Sequence, residues 1–130
     1  MTNKEIVQMS FENFSKGNIP GILEVLSDDI VWDMNGPDFI PYSGARHGKA
    51  GALDFFTKLA AAHDFQAFEP QVYIAENDKV AAMGIAATTN KLTGKSSTNR
   101  WAMLWTFQNG KVTHYMNYSD TYDIAQSFSK

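Results

Sequence analysis

DDIVWDMNGPDFIPYSGARHGKAGALDFF, residues 28–56, decides the architecture by its order of elements. Asp28 to Met34 alternates, which sets Ile30, Trp32 and Met34 on one side of a strand and Val31 and Asp33 on the other. Gly36-Pro37-Asp38 breaks that strand. Phe39 to Ala45 reads as a short second strand, at an edge because Pro41 cannot donate to a ladder. Gly48 to Ala62 then reads as a helix, with Ala52, Leu53, Phe56, Leu59 and Ala60 on its apolar stripe.

Upstream, Thr2 and Glu5 form the T-x-x-E pattern of a capping box. Ile6, Val7, Phe11 and Phe14 follow at helical spacing, and Gly17 supplies a left-handed stop. Asn18 can cap a second, shorter helix that tolerates Pro20 in its first turn and buries Ile19, Ile22, Leu23 and Leu26. Downstream, Phe65–Ala75 and Lys79–Asn90 read as a strand pair, and Lys91–Ser97 as a polar turn. The second strand's VAAMGIAA run carries small residues that allow close approach. Thr98–Gln108 and Lys111–Ser119 form a hairpin over Asn109-Gly110, a dipeptide that favours the tight turn. A last helical turn follows Asp120. Four consecutive antiparallel strands after three helices imply an α+β domain over residues 1–130, with the helices on one face of the sheet. A long twisted sheet curls, and its concave side becomes a cavity.

Composition narrows the function. The 130 residues suffice for one core, and the chain carries nine Phe, five Tyr and three Trp. Those rings serve either a plain aromatic core or the wall of an apolar pocket. The net charge of −3, without a basic run, argues against nucleic acid as a partner. The absence of cysteine excludes disulfides, thiolate zinc sites and a Cys nucleophile. MTNKEIVQMS lacks the apolar centre of a signal peptide, and no stretch approaches the length of a membrane span. A soluble, cytoplasmic protein without membrane contact is expected.

Three stretches carry a family resemblance: FENFSKGNIPGILEVLSDDIVW (11–32), SGARHGKAGALDFF (43–56) and WTFQNGKVTHYMNYSDTYDI (105–124). In these the chain resembles the nuclear transport factor 2-like superfamily, in its SnoaL-like polyketide cyclase and ketosteroid-isomerase-related branch. The resemblance implies a cone: a strongly bent, mixed but mostly antiparallel sheet wrapped around three helices of the N-terminal half, enclosing an apolar pocket. It also implies a homodimer packed through the outer sheet face. The superfamily holds isomerases, cyclases, dehydratases, epoxide hydrolases and non-catalytic binders, so the fold leaves the reaction open.

Matched residue by residue, the isomerase base falls on Met34, its oxyanion tyrosine on Ser10 and its protonated aspartate on Met103. Enolate chemistry of the isomerase kind needs a base and two donors at those places. Steroid isomerisation is therefore not expected. The acidic residue that SnoaL-like cyclases carry after the last strand matches Asp120. Two readings of Asp120 stand, a catalytic base or the N-cap of the terminal turn. The match also turns Trp101, Met103 and Trp105 inward, and inward parity on the last strand gives Tyr115, Asn117 and Ser119. Asn117 then serves either the core or a ligand.

Tyr42, Tyr115 and Tyr118 are each either donors to a carbonyl oxygen or boundary residues with wet hydroxyls. His47, His63 and His114 show no metal-binding spacing, and His63 suits a helix end. Asp33 is expected on the solvent side. GARHGKA (44–50) is one residue short of a phosphate loop and lacks its Ser or Thr.

The expectation is cofactor-free chemistry on a small apolar or polycyclic carbonyl compound: isomerisation, cyclisation or dehydration. Asp120 would be the base, with Tyr115, Asn117 or Tyr42 orienting the substrate oxygen. Trp32, Met34, Tyr42, Phe56, Met83, Trp101, Met103 and Trp105 would form the wall. The alternatives are a non-catalytic binder using the same cavity, and a dimerising module whose function lies on the outer sheet.

Overall fold

The computed structural model of the chain describes residues 1–129. Two helices come first, α1 (Asn3–Ser15) and α2 (Ile19–Glu24). The Thr2 hydroxyl accepts from the Glu5 amide while the Glu5 carboxylate accepts from the Thr2 amide, so the capping box forms in full. Gly17 takes a φ of +71° between the two helices, and the Asn18 side chain caps α2 through the Gly21 amide. Then come β1 (Leu26–Met34), β2 (Gly44–His47), α3 (Gly48–Ala62), β3 (His63–Glu76), β4 (Lys79–Asn90), β5 (Ser96–Gln108), β6 (Lys111–Ser119) and α4 (Thr121–Ser127).

The six strands form one sheet in the order β2-β1-β6-β5-β4-β3. Only β1 and β6 run parallel among the paired strands; the other neighbours are antiparallel. The mixed, mostly antiparallel α+β design is as expected. Register shifts at Phe65/Ala67 and Pro70/Val72 in β3 mark the bulges that bend a sheet. The β5–β6 hairpin turns on Asn109 and Gly110, both at positive φ (53° and 77°), the geometry of a type I′ turn.

Several boundaries depart from the sequence reading. Leu26 opens β1 and leaves the buried face of α2 to Ile22. Residues 37–43 make turns, with Ile40 N–H donating to the Pro37 carbonyl and Ser43 N–H to that of Ile40. Two prolines within five residues leave too few donors for a ladder. The edge strand begins only at Gly44. The stripe of α3 is Ala52, Phe55, Phe56 and Ala62, with Leu59 half-buried, while Leu53 and Ala60 face outward. Arg46 binds this region together: its guanidinium donates to the carbonyls of Pro41, Tyr42 and Ser43 and to the Asp54 carboxylate. That clamp turns Tyr42, only 2% exposed, into the interior.

The concave face depends on small side chains. On β4 the inward positions are Val80, Ala82, Gly84, Ala86, Thr88 and Asn90. Their size leaves room above the strand for rings from both neighbours to meet: Phe68 of β3 and Trp101 of β5 stack at 4.8 Å and 3°. Phe11 of α1 fits edge-on against both, at 5.5 Å. Each such ring pair adds about 0.5–1.5 kcal/mol beyond its buried area. A Cβ on Gly84 would sit 2.6 Å from Cζ2 of Trp101 and collide with the Glu69 carbonyl oxygen. Gly84→Ala should therefore cost about 3 kcal/mol, at the upper end of overpacking effects. A thermal melt checks this, and an unchanged midpoint would show that β3 and Trp101 yield freely.

Candidate functional site

Between the concave sheet and the helices lies a cavity of about 90 Å³. Phe11 and Phe14 of α1, Ile22 of α2, Phe55, Phe56 and Leu59 of α3 and Ile124 of α4 contribute to its wall. The sheet side is formed by Trp32, Met34, Phe65, Phe68, Trp101, Met103, Trp105 and Tyr115. Trp32 and Tyr115 face each other across the parallel β1–β6 pairing and stack at 3.7 Å and 11°. Trp105 meets both edge-on, at 5.9 and 5.0 Å. The cavity has room for several waters. A polycyclic ligand does not fit without displacement of side chains, and Met34 and Met103 are the adaptable parts of the wall.

Of the residues singled out from the sequence, Trp32, Met34, Tyr42, Phe56, Trp101, Met103, Trp105, Tyr115 and Asn117 all line this space. Met83 does not. Ala82 and Gly84 take the inward positions of β4, so Met83 between them lies on the outer face, opposite Val72 and Ala102. Asp120 does not line it either. It is the exposed N-cap of α4, and its carboxylate accepts from the Asp123 amide at 3.3 Å. Strand alternation ends at Ser119, and the Asp120 amide bonds the Arg100 carbonyl at 3.0 Å. With Met83, Arg100 and Tyr118 it borders a shallow depression on the outer side of the sheet. The cap reading of Asp120 is the one the geometry supports. Asp33 pairs with Ala45 and Met116 and also stays outside the cavity wall.

Besides Ser10, Thr88 and Asn99, two hydrogen-bonded polar groupings enter the largely apolar wall. On β6 the Ser119 hydroxyl donates to Asn117 Oδ1 (2.6 Å), and Asn117 Nδ2 donates to the Tyr115 hydroxyl (2.7 Å). The hydroxyl of Tyr115 thus accepts, and its own proton is left for another acceptor. Burial pushes the Tyr115 phenol well above its ordinary value, partly offset by the Asn117 bond, and holds it neutral.

The second grouping was missed from sequence. His63, at a helix end as read, is the C-cap of α3 and also the first residue of β3, and only 5% exposed. Its Nε2 lies 2.8 Å from the Tyr42 hydroxyl, and its ring meets Phe128 edge-on at 5.4 Å. Its Nδ1 is buried without a hydrogen-bond partner. Burial pushes the imidazole down from 6.5 and the Tyr42 phenol up. The one available signal was the abrupt passage from Ala60-Ala61-Ala62 into His63-Asp64-Phe65, where helix gives way to strand.

Among the described residues, the titratable side chains lining the cavity are Tyr42, His63 and Tyr115. No carboxylate reaches it. No group of three His, Asp or Glu side chains is placed to hold a metal among the described residues. No helix among them is long and apolar enough to cross a membrane.

A family model described as SnoaL-like domain matches residues 7–115. No curated protein matches the chain. Among solved structures, an NTF2-like protein from Burkholderia xenovorans LB400 is 26% identical, with 96% of this chain and 94% of that one covered and a TM-score of 0.86. A candidate SnoaL-like polyketide cyclase from Mesorhizobium loti is also 26% identical, covering 91% and 99%, with a TM-score of 0.74. An NTF2-like protein of unknown function from Burkholderia pseudomallei K96243 shares the fold over the full length of both chains (23% identity, TM-score 0.90). With the cone of six strands and the matched residues 7–115 in view, the chain belongs to the SnoaL-like domain family, within the NTF2-like fold.

Proposed function

We propose that this protein binds a small, flat, apolar carbonyl compound inside the cone and rearranges it by acid–base chemistry without a cofactor. One observation carries the reading: an aromatic wall interrupted only by a few polar groups, one of which, Tyr115, keeps a hydroxyl proton for a ligand oxygen. An apolar pocket with a few directed donors is the usual form of a small-molecule site. The likeness to a candidate polyketide cyclase from M. loti supports a carbonyl-bearing ligand. The enclosed volume favours one ring over several. The non-catalytic alternative uses the same cavity, and turnover separates the two.

A homodimer is proposed as well, because apolar side chains recur on the outer sheet face across four strands, among polar ones such as Arg100, Thr106 and His114. Val72 and Ile74 of β3, Met83 and Ile85 of β4, Leu104 of β5 and Met116 and Tyr118 of β6 point away from the helices. An antiparallel sheet with one solvated face is expected to alternate polar with apolar residues. The mix of small (Ala81, Ala102) and long side chains on the outer face suits pairing with a second copy about a two-fold axis.

Ala86 lines the cavity, so Ala86→Leu should fill it. Native mass spectrometry with a panel of one-ring ketones and phenols should show binding to the wild type. The variant should bind at least about tenfold more weakly, about 1.4 kcal/mol. Equal binding by both proteins would place the ligand elsewhere. For the second copy, Leu104→Glu should turn a dimer into a monomer in light scattering, while a wild type that is already monomeric would refute the pairing.

A further inference from the structure

We propose that Tyr42 and His63 form a proton relay that makes this protein an enolising catalyst, acting on the acidic C–H beside the carbonyl of a small ketone. The inference rests on the cavity being the ligand site. Three observations carry it. Tyr42 Oη and His63 Nε2 stand 2.8 Å apart inside the cavity wall. His63 Nδ1 is buried with no partner, although buried polar atoms nearly always find one. No carboxylate lines the space, so the imidazole is the one basic side chain there among the described residues.

A phenol is a stronger acid than a neutral imidazole N–H, so the Tyr42 hydroxyl donates to Nε2 and the ring proton sits on Nδ1. Burial disfavours phenolate and imidazolium alike, so the pair rests neutral. The shift on His63 comes from burial. The neighbouring charges, Asp64 and Lys91, bond each other at 3.6 Å near the surface.

The step conserves every proton and electron. The α-C–H bond of the ketone breaks and its proton joins Tyr42 Oη as the tyrosine's own proton moves to His63 Nε2. Tyr42 thus stays a neutral phenol throughout, as its burial requires. The C–H electron pair becomes the C=C bond, and the carbonyl π pair moves onto oxygen. That oxygen can accept the free proton of the Tyr115 hydroxyl in a hydrogen bond. Return of the proton from His63 through Tyr42 to carbon or oxygen restores the pair, with no oxidant or co-reactant. Tyr42 is the group in contact with the ligand; His63 acts through it as the terminal acceptor.

Acetophenone in D₂O is the probe, a flat one-ring ketone whose methyl hydrogens exchange only through the enol. Proton NMR should show wild-type protein accelerating loss of the methyl signal. Tyr42→Phe should lower that rate at least about 100-fold, the scale of general acid–base catalysis, with acetophenone affinity nearly unchanged. The wild-type rate should rise with pH through an inflection below 6.5, the ordinary histidine value, and His63→Gln should abolish that inflection. Bound acetophenone with no exchange, or exchange undiminished in Tyr42→Phe, overturns the relay and leaves the binding reading standing.

A ligand-free arm decides the case if acetophenone fails to bind, an outcome that counts against the binding reading instead. Nitrogen-15 imidazole spectra should show His63 neutral at neutral pH, with its proton on Nδ1, and that signal should change in Tyr42→Phe. A proton on Nε2, or a cationic ring, refutes the relay whatever the ligand.

Discussion

β4 can lie beneath two rows of aromatic rings only because its inward positions are nearly empty. Ala82, Gly84 and Ala86 project almost nothing, so Phe68 and Trp101 meet over the strand instead of being held apart by it. Phe11 fits edge-on into that stack and anchors α1 to the sheet. Phe14 continues the contact to Phe68 at 5.1 Å and to Phe56 of α3 at 6.2 Å. One small-residue strand thus sets how closely the helices approach the curved face and how much space remains at its centre. Interiors pack densely, and an enclosed space persists only where rigid rings cannot collapse into it. The cavity is what remains between interlocked aromatic surfaces.

The electrostatic character of that space follows from what surrounds it. With no Asp, Glu, Lys or Arg in the wall among the described residues, burial acts on the three titratable groups in one direction, toward neutrality. Tyr115 is held by its bond to Asn117, and Asn117 by Ser119, three alternate residues on one strand face. Tyr42 comes instead from a turn, held by the Arg46 clamp on the carbonyls of residues 41–43, by its bond to His63 and by edge-on packing against Phe55. The two phenols therefore reach one cavity by different means, one through strand parity and one through a guanidinium.

Alternation, glycine position and capping residues state their geometry locally, and these parts of the fold were legible from the chain. The capping box at Thr2–Glu5, the Asn109-Gly110 hairpin and the inward Trp101-Met103-Trp105 face each depend on neighbours a few residues away. Met83 shows where this reasoning fails. Its strand is apolar on both faces, so composition could not tell inside from outside, and only the pairing of Gly84 with Trp101 settles it. For Asp120 the chain left base and N-cap open: one residue beyond the strand end, parity no longer applies, and a backbone amide of α4 takes the carboxylate.

The amino-acid order by itself determined an α+β domain with a curled sheet and aromatic residues on its inner positions, because periodicity and residue size act through local sterics and burial; the cone and the loss of the isomerase's groups followed from the family resemblance. It could not bring Tyr42 to His63. They lie 21 residues apart, in a turn and at a strand start, with β2 and α3 between them in the chain, and only the folded arrangement sets them 2.8 Å apart. Long-range packing created the pair, and the same packing removed the solvent that would otherwise have satisfied it.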